Sequence, residues 1–118
     1  MQSCYNILGL EYIAQAIYLV NKRAPASIGR KMVVVLIVVF RAEQTGLVLS
    51  QNDVLKRLLR LHNNGSRVAD ITLIDYLVRR NYLAKKKEGR SLVISTTVAG
   101  RNYVTMLSKT LRDLRSRL

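Results

Sequence analysis

Residues 50–80 read SQNDVLKRLLRLHNNGSRVADITLIDYLVRR, and this stretch decides the fold. Ser50-Gln51-Asn52-Asp53 has the spacing of a helix start, in which a hydroxyl and a carboxylate three residues on satisfy the first free backbone N–H groups. An apolar run follows. It predicts a helix with Val54, Leu55, Leu58, Leu59 and Leu61 on one face and Lys56, Arg57 and Arg60 opposite. His62-Asn63-Asn64-Gly65 is turn-forming by composition. Ser66 is placed to cap a second helix reaching about Arg80, with Val68, Ile71, Ile74, Leu77 and Val78 expected as its buried face. Two short helices joined by an Asn-Gly turn make a helix-turn-helix candidate.

Beyond Arg80 the apolar period shortens from helix to strand. Tyr82–Lys87 and Ser91–Ser95 read as two short strands, with Glu88-Gly89-Arg90 as the hairpin turn between them. Thr96-Thr97 can cap a final helix, along which Val98, Tyr103, Met106, Leu107, Leu111, Leu114 and Leu118 form an apolar stripe. On the other side, residues 4–23 read as a helix, with Ile7, Leu8, Tyr12, Ile13, Ala16, Ile17 and Val20 recurring at three- and four-residue steps. Pro25 and Gly29 then break the chain. Lys31–Glu43 is open to two readings. Its Val and Ile run suits a buried strand, while its length and the stop at Gly46 suit a helix.

Composition narrows the function. The chain has 118 residues, 49% apolar and 23% charged, enough for one domain with a core. One cysteine, Cys4, and one histidine, His62, exclude a disulfide scaffold and zinc-finger spacing. Both are read as ordinary structural or surface residues. Twenty lysines and arginines against seven carboxylates give a net charge of +13, which points first to nucleic acid and second to an acidic membrane surface. The most apolar run, Met32–Phe40, spans nine residues where a helical membrane span needs about twenty. With no secretory signal in Met1–Leu10, a cytoplasmic setting is expected. The carboxylates are scattered, no residue pattern suggests acid–base or nucleophilic chemistry, and no phosphate loop of the G-x-x-x-x-G-K type occurs. No catalytic residue, metal or cofactor is expected.

The order helix, helix, helix, hairpin, helix is that of a winged helix-turn-helix domain, and three segments carry a more specific resemblance. Asp75–Lys86 resembles the end of a recognition helix running into the wing of bacterial winged-helix repressors. Thr97-Val98-Ala99-Gly100-Arg101-Asn102-Tyr103 resembles the threonine, two variable residues and Gly-Arg that follow the wing in MarR-type regulators. Leu49–Val54 resembles the start of their first helix-turn-helix helix. The likeness covers about residues 32–106 and favours a helix for Lys31–Glu43. Two positions depart from the pattern. Asn81 stands where the family has glycine, and Asn tolerates the left-handed conformation. Asp70 falls near a family aliphatic position, so either the helix register differs or the turn is longer.

The expected fold is therefore α+β, mostly α: a winged helix-turn-helix with a two-stranded wing and flanking helices. It forms one domain over 1–118, with an N-terminal helix at 4–24, a core at 30–96 and a C-terminal, dimerising helix at 97–118. Major-groove reading needs short polar or basic side chains at the start of the recognition helix, and Ser66, Arg67 and Thr72 provide them. Ser50 and Gln51 can donate to a phosphate. Strand alternation prevents Lys85, Lys86 and Lys87 from all pointing one way, so Lys86 or Lys87, with Arg90, is expected to reach the minor groove or its phosphates. Tyr103, Leu107, Leu111, Leu114 and Leu118 are expected to form a homodimer interface, alongside Tyr5, Leu10, Tyr18 and Leu19 left over on the first helix. The resemblance implies dimerisation through the terminal helices and, in many members, a small aromatic ligand beside that interface. The leading function is a sequence-specific double-stranded DNA-binding transcriptional regulator, expected to be a dimeric repressor that occludes a promoter. The alternatives are a DNA-binding accessory factor of a mobile element and a winged-helix protein-interaction module.

Overall fold

The computed structural model describes residues 2–61 and 67–117, with side chains from Glu11 onward. The elements run α1 (Gln2–Arg23), α2 (Arg30–Gln44), β1 (Leu49–Ser50), α3 (Gln51–Leu61), α4 (Arg67–Arg79), β2 (Leu83–Glu88), β3 (Ser91–Thr96) and α5 (Val98–Ser116). The 62–65 turn, Ser66, Leu118 and the side chains of Cys4, Tyr5, Ile7, Leu8 and Leu10 lie outside the described residues.

The Met32–Phe40 run is helical. Val33, Val35, Leu36, Val39 and Ala42 of α2 are buried, and Met32, Val34, Ile37, Val38 and Phe40 pack partly against the core. A helix apolar on nearly every side belongs inside a domain. Here α2 is enclosed by α3, α4, α5 and β3, and that burial overrides the weak strand preference of its Val and Ile. It ends in a Schellman turn: Leu47 N–H donates to Ala42 O at 2.9 Å and Gly46 N–H to Glu43 O at 3.0 Å, with Gly46 at φ +79°.

The same device ends α4 and aims the chain into the wing. Tyr82 N–H donates to Leu77 O at 2.9 Å, Asn81 N–H donates to Val78 O at 3.1 Å, and Asn81 takes φ +65°. Asn81 thus does the work of the glycine usual at this position. The wing hairpin then pairs Leu83 with Thr96 through to Glu88 with Ser91. It carries one strand more than expected. β1 pairs with β3 (Leu49 with Ile94, Ser50 with Val93), giving a three-stranded antiparallel sheet in the order β1-β3-β2. Glu43 closes this end of the sheet, its Oε1 accepting from Thr96 N–H at 2.9 Å and from the Thr96 hydroxyl at 2.6 Å.

Thr97 caps α5, its Oγ1 accepting from Gly100 N–H at 3.0 Å. Behind it lies the aromatic centre of the core. Tyr82 and Tyr103 are fully buried with ring centroids 5.3 Å apart. The Tyr82 hydroxyl donates to Ala26 O and accepts from Ala26 N–H at 3.1 Å. The Tyr103 hydroxyl donates to Asn21 Oδ1 at 2.7 Å. Burial, with a smaller contribution from Tyr82, pushes the Tyr103 phenol pKa well above its ordinary value.

Three expected faces are corrected. Ile13 is exposed, while Ala16, Ile17 and Val20 of the same expected face are turned inward. Leu59 and Leu61 are exposed, because α3 buries Val54, Leu55 and Leu58 and the helical period carries the next two leucines off that face. On α4 the inward positions are Asp70, Ile74 and Leu77, so Val68 faces out at 75% exposure and Asp70 occupies the aliphatic place at 4%. Asp70 Oδ2 is buried with no hydrogen-bond partner among the described residues. A buried polar group without a partner costs about 1–3 kcal/mol. Asp70→Ala is therefore expected to raise the urea midpoint, by about 1 kcal/mol in stability after the small cavity it leaves; a fall of that size in urea melts would show that the carboxylate is satisfied.

Candidate nucleic-acid interface

From β1 to β3 the chain carries ten lysines and arginines against four carboxylates. Each carboxylate is buried or lies near a partner. Asp70 is in the core. Asp53 closes a capping box with Ser50: Ser50 N–H donates to Asp53 Oδ2 and Asp53 N–H to Ser50 Oγ, both at 3.2 Å. The backbone bond from Ser50 and then its side chain hold the Asp53 carboxyl below the usual aspartate range, with Lys56 and Arg57 adding less. Asp75 Oδ1 binds Lys85 Nζ at 2.8 Å, and Glu88 lies 3.9 Å from Lys86 Nζ. The second pair is highly exposed and holds Lys86 weakly.

Two side-chain contacts join the parts. Arg67 Nη2 donates to Asn52 Oδ1 at 2.7 Å, tying the start of α4 to the start of α3. Lys85–Asp75 ties β2 to the second half of α4. The helix pair and the wing are thereby held as one unit. Lys86, Lys87 and Arg90 stay exposed on the wing, as do Lys56, Arg60, Arg79 and Arg80 on the helices. Thr72 is exposed, its hydroxyl donating to Val68 O at 2.9 Å. Ser50 is half-buried, with its backbone N–H and its side chain both engaged with Asp53. Gln51 is half-buried, with Oε1 buried and without a hydrogen-bond partner among the described residues. The structure thus brings Ser50, Gln51 and Arg67 together and presents Thr72, Lys86, Lys87 and Arg90 at the surface.

Solved structures share this fold. Rv1404 from Mycobacterium tuberculosis superposes with a TM-score of 0.79 at 16% identity, covering 97% of this chain and 71% of its own. The Staphylococcus aureus MepR–DNA complex gives 0.73 at 16%, covering 99% and 82%. Apo MarR from Escherichia coli gives 0.67 at 13%, covering 99% and 81%. The chain has the MarR-type winged-helix fold. No family model and no curated protein matches its sequence.

Within the MarR-type fold, the residues expected at a dimer interface sit differently. Tyr103, Leu107 and Leu114 are buried within the chain itself, because α5 lies along α1 and turns its apolar stripe inward. Leu111 is half-buried. On α1, by contrast, Ile13, Leu19 and Tyr18 are exposed, the last at 60% with Lys22 Nζ 4.5 Å from its ring centroid, and α5 exposes Val98. Among the described residues, no helix is long and apolar enough to cross a membrane. Asn52 and Asp75, the partners that position Arg67 and Lys85, were not identified from the sequence. They lie fifteen and ten residues from the side chains they hold, and no local pattern marks such pairs.

Proposed function

We propose that this chain is a sequence-specific double-stranded DNA-binding regulator of transcription that acts as a homodimer and represses by occupying promoter DNA. One observation carries the reading. The Arg67–Asn52 and Lys85–Asp75 contacts lock the helix pair and wing together, while Lys86, Lys87 and Arg90 remain exposed. A MarR-type solved structure with DNA bound supports it. In this mode α4 enters the major groove, the wing cations meet the minor groove or its phosphates, and the Ser50 end of α3 meets the backbone. Asn52 accepts one guanidinium donor of Arg67, which leaves the others for a bidentate contact to guanine.

Selection of bound sequences from a random duplex pool tests this. Arg67→Ala is expected to relax preference at one base position, by about 1–3 kcal/mol, and to leave the salt dependence nearly unchanged. A selected sequence identical to that of the unaltered chain would remove Arg67 from base reading.

Dimerisation is supported by the apolar surface of α1. Ile13, Tyr18 and Leu19 are exposed on α1, the helix that packs along α5, and a stable pair buries about 1,200–2,000 Å² in total. Sedimentation at micromolar concentration is expected to show twice the 13.4 kDa chain mass; a persistent single-chain species contradicts the dimer. A cavity of about 510 Å³ between α2 and α5, walled by Ile37, Phe40, Val104 and Leu107 with Arg41 and Arg112 at its edge, is of a size for the small aromatic effector.

A further inference from the structure

The outward face of α4 differs in chemistry from the basic surface around it. Its first two turns expose Val68, Ala69 and Thr72. Val68 and Thr72 are four residues apart and so share one face, and Tyr76, 41% exposed, continues the row one turn on. The Thr72 hydroxyl proton is spent on Val68 O, so this side chain has a methyl and an acceptor oxygen left to offer. Arg67, at the head of the row, is bonded to Asn52, and Arg80 lies 5.0 Å from the Tyr76 ring centroid. An apolar row of this kind, set among exposed Lys56, Arg60, Arg79, Lys86 and Lys87, fits a partner that is an anion at large and apolar at the point of contact.

Double-stranded DNA has that chemistry. Along the major-groove base edges the apolar group is the thymine C5-methyl, and small aliphatic side chains are what contact it. We infer that the Val68–Thr72 row of α4 reads thymine methyls, making these two residues specificity determinants and thymine-bearing half-sites the preferred DNA. This rests on the DNA-binding reading above and goes beyond it, since Arg67 alone would favour guanine. Val68 needs no support from the core to do this, because at 75% exposure most of its side chain is available.

Deoxyuridine separates the two claims, because it keeps every hydrogen-bonding group of thymine and lacks only the methyl. The full chain is taken through selection on two random duplex pools, one containing thymine and one containing deoxyuridine throughout. The duplex enriched from the thymine pool is then remade with deoxyuridine at each thymine in turn. Binding is expected to weaken about fourfold for each methyl in contact. Thr72→Ser removes the side-chain methyl and keeps the hydroxyl that bonds Val68 O, and it should bring one of those ratios close to one. Val68→Ser should do so at a neighbouring position with the melting temperature unchanged. Equal binding of thymine and deoxyuridine duplexes that are both enriched over the pool overturns methyl reading and leaves DNA binding standing. Enrichment from neither pool overturns both, and points to a protein partner for this face. Ratios that stay fourfold in both variants assign the methyl contact elsewhere and overturn the role given to Val68 and Thr72.

Discussion

Replacing Lys86, Lys87 and Arg90 together with alanine is expected to weaken binding to any duplex by about a hundredfold at low salt, and to make the slope of log affinity against log salt shallower by about 2–3. Each phosphate that a cation neutralises releases condensed counterions, and the slope counts those contacts nearly one for one. The three side chains are exposed, and the contact of Lys86 with Glu88 is weak, so little must be undone before they meet DNA. The same exposure means the triple variant should fold normally, within about 0.5 kcal/mol for each change. Lys85→Ala is the contrasting case. Its ammonium is engaged with Asp75 at 2.8 Å, so it should alter the slope less and the placement of the wing more. An unchanged slope in the triple variant would take the wing out of the interface.

Gly100→Ala is expected to be the most damaging single substitution to the fold. A Cβ there would stand 2.1 Å from Tyr82 O, 3.0 Å from Tyr82 C and 3.3 Å from Leu36 Cδ1. The nearest atom is backbone and cannot swing aside. It is also committed, since Tyr82 O accepts from Thr97 N–H at 3.1 Å. Relief requires α5 to lift from the α4–β2 corner, which disturbs the Thr97 cap and the Tyr82–Tyr103 pair together. Against an ordinary helix gain for alanine of about 1 kcal/mol, a net loss of about 3 kcal/mol or more is expected. That is a large part of the stability of about 5–15 kcal/mol typical of a domain. Urea unfolding measures it, and a loss below about 1 kcal/mol would show that the corner is looser than its geometry indicates.

Where local chain chemistry decides structure, the sequence was readable. Ser50-x-x-Asp53 forms the capping box its spacing implies, Thr97 caps α5, and Asn81 takes the left-handed turn usually given to glycine. The hairpin falls within a residue of where the alternation put it. Where packing between distant segments decides, the sequence was ambiguous. Met32–Phe40 has the same continuous apolar pattern whether it is a buried strand or a buried helix, and enclosure by three helices and a strand settles it. The phase of α4 was misplaced because Val68, Ile71, Ile74 and Leu77 fit helical spacing as well as the true inward set, and an inward aspartate runs against any apolar rule. β1 is two residues long and owes its existence to β3, more than forty residues away. The α5 stripe was legible as apolar, but spacing does not say whether α1 of the same chain or a second chain covers it. Tyr103, Leu107 and Leu114 are covered by their own chain. At the candidate interface, strand alternation offers Lys86 or Lys87 with Arg90, while the folded wing exposes all three, and the Asn52 and Asp75 contacts that orient their neighbours exist only in three dimensions.

The most direct test of the DNA-binding reading is the equilibrium affinity of the full chain for its selected duplex and for unrelated duplex, measured from low to physiological salt. Binding through α4 and the wing predicts a steep fall in both affinities with salt, nearly one logarithmic unit per tenfold salt for each phosphate contacted, with the selected duplex held about a thousandfold or more tighter than the unrelated one at physiological salt. A flat salt profile, or equal affinity for the two duplexes, would contradict it.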